Sequence, residues 1–171
     1  CANTGVFDKG LKLMKQITNG LEEFSTAIPE YKRFSIHCLI AINYHDAREY
    51  ELALKTLEKL VNYERKCMLE DLITYTRFLQ LIVYFDQGEE EELENGLPKL
   101  ERFLSYRNRD NKASDLFLEY MNQIVYAASE KGRLQMFKNW LLALGTVAEK
   151  DMRIFQNFKL LVTLLTRHCY S

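Results

Sequence analysis

The sequence predicts an all-α fold, a right-handed array of about four antiparallel helix pairs. Three observations carry that expectation. Apolar residues recur at intervals of three and four and not of two, as in Leu52, Leu57, Leu60 and Val61, and again in Leu116, Leu118, Met121, Ile124 and Val125. Breakers divide the chain into about eight amphipathic segments. The links between them are so short that each helix must reverse onto the one before it, which makes consecutive helices antiparallel hairpins.

The segments run over 6–27, 31–46, 49–66, 69–86, 90–107, 113–130, 133–147 and 150–168. In the first, Asn19-Gly20 marks a place where it divides into two shorter helices. Pro29 suits the first turn of the second, where its missing N–H costs nothing. Gly88 and Gly132 stand where a left-handed residue closes a helix. Asn95-Gly96-Leu97-Pro98 is expected to break or kink the fifth segment near its middle. The polar link 107–112 offers Asp110 or Asn111 as the cap of the sixth. The last segment, 152–168, is apolar on much of its surface through Phe155, Phe158, Leu160, Leu161, Val162, Leu164 and Leu165. Three readings fit it: a helix covering the array, the seam of a homodimer, or the face that a missing neighbour covers in a longer chain.

Composition bounds the function. With 171 residues, 47% apolar and 27% charged, and with only two prolines and seven glycines, residues 1–171 form one compact domain and not a disordered segment. Twenty-three Lys and Arg against 24 Asp and Glu leave a formal charge of −1, so there is no global field to recruit nucleic acid or an anionic membrane. The longest uncharged apolar runs, 79–85 and 160–165, fall far short of the roughly 18 residues a membrane span needs. Cys1, Cys38, Cys67 and Cys169 have no paired spacing, which argues against a zinc site and against a disulfide framework. Reduced thiols in the cytoplasm are expected, with Cys38 and Cys67 as small buried hydrophobes. The start at Cys1 fits an excised piece or a processed product; lipid anchoring through Cys1 is the alternative location.

No catalytic signature stands out, and neither a metal nor a cofactor is expected. His37 and His45 lie eight residues apart without a third ligand, and His168 sits beside Cys169. No glycine-rich phosphate loop exists among the scattered glycines. Glu89, Glu90, Glu91, Glu92 and Glu94 follow Gly88, where they complement the positive end of the next helix and hydrate a solvent face. Lys99, Arg102, Arg107, Arg109 and Lys112, with Phe103 and Tyr106 between them, form the one local basic cluster, set against Glu101 and Asp110. Such a cluster suits a phosphate backbone or an acidic peptide, though a solvated face is the simpler reading. The ten Tyr, ten Phe and single Trp140 fall at helical spacing and are expected mainly in the core.

The segment His37-x-x-Ile40-Ala41-x-x-Tyr44, followed by Tyr50, Ala53 and Leu57, resembles a tetratricopeptide repeat in register. His37 replaces the usual tryptophan, and Arg65 stands at the place of the closing proline. The register extends to Tyr84, Gly88, Leu93 and Leu97, then to Met121, Ile124, Val125, Gly132, Leu134, Phe137 and Leu141. Its turn positions, Arg48, Gly88 and Gly132, are spaced more widely than the roughly 34 residues of a regular repeat. Residues 77–85, with Gly88, Arg102-Phe103-Leu104 and Arg107-Asn108-Arg109, are similar to the C-terminal region of large uncharacterised bacterial tetratricopeptide-like proteins. That resemblance implies a protein-interaction scaffold cut from a longer parent chain, with a concave face made by the first helices of each hairpin.

By offset from the repeat register, Ser35, His45, Tyr75, Glu119, Asn122 and Tyr126 point into the concave face. The function expected from the resemblance is therefore a non-enzymatic scaffold that binds a peptide or helix of a partner protein in a preformed groove. The alternative is a peptide-responsive regulatory module of a larger protein, and a helical-repeat enzyme is the least supported reading. Alanine at Tyr126 and Tyr75 together is expected to abolish peptide binding with little loss of stability; an equal loss of stability would place them in the core instead.

Overall fold

The computed structural model describes residues 4–62, 70–106, 111–127 and 129–147. Among them are seven helices and no strand: α1 (Thr4–Glu23), α2 (Glu30–Asp46), α3 (Tyr50–Asn62), α4 (Glu70–Gln87), α5 (Glu90–Tyr106), α6 (Lys112–Val125) and α7 (Glu130–Leu144). The all-α class is thus as the periodicity predicts. The chain divides into two compact units, Cys1–Val83 and Tyr84–Ser171. Arg65, Cys67, Arg107, Arg109, Asp110 and the apolar segment 152–168, together with Cys1, His168 and Cys169, lie outside the described residues.

In the first unit α1 packs against α2, and α2 packs against α3. Ala41 on α2 and Ala53 on α3 are both fully buried, beside Ile40, Tyr44, Leu57 and Leu60. Small residues at such positions let two helices approach closely while the larger neighbours fill the space around them. α4 is different in kind. Ile73, Thr74, Tyr75, Thr76, Phe78, Leu79, Leu81, Ile82 and Val83 are all buried, and within this stretch only Arg77 and Gln80 are half-buried, so it has little solvent face. The Cys38 sulfur on α2 lies 3.5 Å from the Thr76 hydroxyl, which also donates to the Leu72 carbonyl at 2.8 Å. In the second unit α6 packs on both α5 and α7. Trp140 of α7 stacks on Tyr120 at 5.1 Å between centroids and meets Phe117 edge-on at 6.4 Å, which places the single tryptophan in the core as its spacing predicts.

Two helix ends repeat one device. At the end of α2, the Arg48 N–H donates to the His45 carbonyl and the Glu49 N–H to the Tyr44 carbonyl; at the end of α4, Gly88 donates to Phe85 and Glu89 to Tyr84. Each is a Schellman closure, and the residue that makes it has positive φ, 61° at Arg48 and 79° at Gly88. Glu49 and Glu89 then accept the first helical bonds of α3 and α5, from Ala53 and Leu93. The buried trio Ala53, Leu57 and Leu60 has its counterpart, forty residues on, in Leu93, Leu97 and Leu100.

Three details depart from the sequence reading. Gly132 does not close a helix: Ser129 caps α7 by accepting from the Gly132 N–H at 3.2 Å, so Gly132 sits in the first turn of α7, and α6 ends earlier, at Val125. Neither Asn19-Gly20 nor Asn95-Gly96-Leu97-Pro98 ends its helix; α1 and α5 run through them. In α5 the buried stripe Leu93, Leu97, Leu100, Leu104 continues on both sides of Pro98, and that shared burial outweighs the lost backbone bond. Pro29 stands just before α2 and not inside its first turn. Asn111, one of the two expected caps, does cap α6, its side chain accepting from the Ser114 N–H at 3.0 Å.

The two Schellman turns predict opposite responses to mutation. A Cβ at Gly88 meets nothing within 4 Å, so Gly88→Ala tests the backbone alone and is expected to lose about 1 kcal/mol of unfolding free energy. Arg48 already carries a Cβ in the left-handed region, so Arg48→Gly is expected to gain a smaller amount, about 0.5 kcal/mol, because glycine also loosens the unfolded chain. Urea midpoints of the two variants moving in the same direction would show that the turns are not the same device.

Candidate functional site

The six residues assigned to a concave face separate into two kinds. Glu119, Asn122 and Tyr126 are exposed, and their spacing of three and four along and just past α6 puts them on one face. Gln123 donates to the Glu119 carboxylate at 3.2 Å, and Tyr126, at the C-cap, is 75% exposed. Ser35 is half-buried on α2, donates to the Tyr31 carbonyl at 3.0 Å, and shares its face with exposed Tyr31 and Leu39 one turn to either side.

His45 and Tyr75 are buried, which corrects their placement on a binding face. Ten residues separate Ser35 from His45, a rotation of about 280° around a helix, so the two sit on different faces of α2. The His45 Nδ1 lies 4.0 Å from the Asp46 carboxylate, and its ring lies 5.6 Å from that of Tyr50. Tyr75 has no exposed surface because it lies on the buried side of α4, away from half-buried Arg77 and Gln80, so the offset that finds a solvent face on α2 and α6 misses one there. Burial, with the nearby Cys38 and Asp46, pushes the Tyr75 phenol well above its ordinary range and keeps it neutral. The cost of Tyr75→Ala is accordingly one of stability.

Cys38 is a buried small hydrophobe, as its sequence context suggests. Burial pushes its thiol up to about 12, against a smaller opposing effect of the contact with Thr76, so the sulfur stays protonated and unreactive. Among the described residues no three His, Cys, Asp or Glu side chains gather in a way that would hold a metal ion, and no helix is long and apolar enough to cross a membrane. Glu90, Glu91 and Glu92 occupy the first turn of α5, the dipole-complementing place expected of them. Lys99, Arg102 and Lys112 are exposed.

Sequence reasoning did not single out two small clefts, each about 50 Å³. In the second unit, Tyr84, Phe85, Gly88, Glu90, Leu93, Val125 and Arg133 line one, and the Arg133 guanidinium lies 5.5 Å from the Phe85 ring centroid. In the first unit, Glu30, Arg33, Phe34, His37 and Leu60 line the other. The i, i+4 pair of Arg33 and His37 was the available signal, obscured by the reading of His37 as a stand-in for a repeat tryptophan. The Nε atoms of Arg33 and Arg133 are both buried without a hydrogen-bond partner among the described residues. His37 has its proton affinity lowered first by burial, then by Lys59 and Arg33, with Glu22 opposing.

No family model matches the chain, and no curated protein or solved structure matches it either.

His37 sets a pH dependence of stability. Its folded-state pKa is depressed, so the unfolded chain binds the extra proton first as the pH falls through about 6.5. Stability is therefore full above that value and declines as pH drops toward the folded pKa. The thermal midpoint, followed from about pH 7.5 down to about pH 5.5 in buffers free of carboxylates, is expected to fall in the wild-type chain and to fall less in His37→Gln. Parallel curves for the two chains would remove His37 as the cause.

Proposed function

We propose that the chain is a non-enzymatic helical-repeat adaptor of tetratricopeptide-like construction, binding a peptide or helix of a partner protein on the exposed faces of its helices. The observation that carries this reading is the recurrence of one turn forty residues apart, Arg48 and Gly88, each followed by a glutamate cap and by buried residues at matching positions. Recurrent packing at a fixed period is how repeat proteins build a surface that is ordered before a partner arrives, so that mainly the partner loses freedom on binding.

In the second unit the proposed docking face is that of Glu119, Asn122 and Tyr126 on α6, with Tyr126 as the anchor because an exposed tyrosine offers a large rigid surface with a polar tip. In the first unit it is the stripe of Tyr31, Ser35 and Leu39 on α2. The test begins with capture and identification of a partner, followed by calorimetry with its binding segment. Tyr126→Ala is expected to weaken binding about tenfold or more while leaving unfolding free energy within about 0.5 kcal/mol of wild type. Tyr75→Ala is expected to lose about 3 kcal/mol or more of stability instead. Unchanged affinity in Tyr126→Ala defeats the α6 face. A change in compactness by X-ray scattering on binding would favour the regulatory module, and turnover of a copurifying small molecule would favour an enzyme.

A further inference from the structure

The cleft beside α2 and α3 joins four properties. Arg33, which lines it, makes no ion pair, hydrogen bond or ring contact with its side chain among the described residues, and its Nε is buried. Glu30, three residues earlier on the same helix and lining the same cleft, is not paired with it. His37, one turn further along α2, lies close enough to Arg33 and to Lys59 of α3 for both to oppose its protonation. Phe34 and Leu60, both buried, give the cleft apolar walls, beside which charge interactions are stronger than in open water. The charged groups facing His37 are thus Arg33 and Glu30 from α2, Lys59 from α3 and Glu22 from α1.

An arginine left this way is uncommon, because a guanidinium edge whose Nε–H has lost water costs free energy until an acceptor takes it. The cleft of the second unit shows the contrast: its Arg133 lies over the Phe85 ring, whose face compensates the cation, and stands beside the acidic first turn of α5. Arg33 has neither. A carboxylate is the acceptor whose two oxygens match the paired donors along a guanidinium edge, and it is small enough for a cleft of about 50 Å³.

We propose that this cleft is a socket for the carboxylate of an acidic side chain on a peptide partner, held by Arg33 and by a proton that His37 takes up from solvent as the carboxylate enters. The bound anion offsets Arg33 and Lys59, which removes their opposition to the imidazolium. Binding and protonation therefore assist one another, and acidic peptides bind more tightly as pH falls through the His37 range. This inference rests on the adaptor reading and deepens it by naming the chemistry of one contact.

The experiment follows the His37 imidazole by NMR in the intact chain, titrated with pH alone and then with acetate, with a glutamate-rich peptide, and with inorganic phosphate. Acetate and the peptide are expected to raise the His37 pKa while leaving the His45 resonance in place; a tenfold gain in the proton affinity of His37 corresponds to about tenfold tighter binding at a pH below both the free and the bound pKa. Arg33→Gln and Arg33→Lys should each lose most of that ligand-induced rise, the lysine because it keeps the charge and loses the paired donors. Overturning results are an unmoved His37 at saturating acetate, an undiminished rise in both Arg33 variants, or a larger rise with phosphate than with either carboxylate. Acetate needs no partner protein, so its failure defeats the socket and leaves the adaptor reading to the Tyr126 test.

Discussion

The burial of nine of the eleven α4 residues from Ile73 to Val83 is the constraint from which much of the first unit follows. Polar groups on a solvent face cost little; those on the buried sides of a helix must each be held against something else. Thr76 does so by returning a hydrogen bond to Leu72 while the Cys38 thiol approaches it from α2. Tyr75 does so by remaining a neutral phenol, since an anion at that depth, near Cys38 and Asp46, would meet both low dielectric and negative charge. With α4 committed to the core, the surfaces left for recognition belong to helices of ordinary two-faced pattern, and on α2 and α6 those faces carry exposed aromatic and aliphatic residues.

The same commitment explains what was legible in the sequence and what was not. Helical periodicity is a property of local spacing, so the seven described helices were foreseeable with ends a few residues off. Two of the turn positions were legible for the same reason: Arg48 and Gly88 close α2 and α4 by hydrogen bonds of the same form, to Tyr44 and Tyr84, and Leu57 and Leu97 are buried beyond them. A residue's outward direction is a different matter. Register alone places Ser35 and Tyr75, yet register fixes only the angle around a helix axis, and whether that angle meets solvent depends on neighbours far along the chain. For His45 the angle itself is wrong. Gly132 misleads because glycine serves both as a left-handed closer and as an ordinary first-turn residue; the Ser129 cap three residues before it is the local signal that decides between them.

The turns show how one geometry tolerates different chemistry. Gly88 reaches its positive φ without steric cost, whereas Arg48 reaches the same region against the clash of its Cβ. Both turns nonetheless place a glutamate immediately after the closing residue, where its carbonyl starts the next helix. The closure is thus specified by the hydrogen bonds to Tyr44 and Tyr84 and by the buried stripe that follows, with the glycine lowering its cost and not defining it. That a non-glycine residue is held there implies that the packing of α2 on α3, with Ala41 and Ala53 fully buried, exceeds the strain it imposes.

Net charge near zero conceals how unevenly charge is satisfied. The acidic first turn of α5 faces its own helix dipole, and Arg133 lies over an aromatic ring. Around His37 the balance runs the other way: Arg33 and Lys59 both act against a positive imidazole, Glu22 acts for it, and burial sides with the cations. A protonated His37 is therefore a state that the isolated chain resists and that an added negative charge would restore. Of the two clefts this is the place where a ligand's charge, and not its size, would change the protein most. Solvation energy grows steeply as charge is withdrawn from water, so one carboxylate settling against a desolvated arginine edge can matter more than a broad polar contact at an exposed rim.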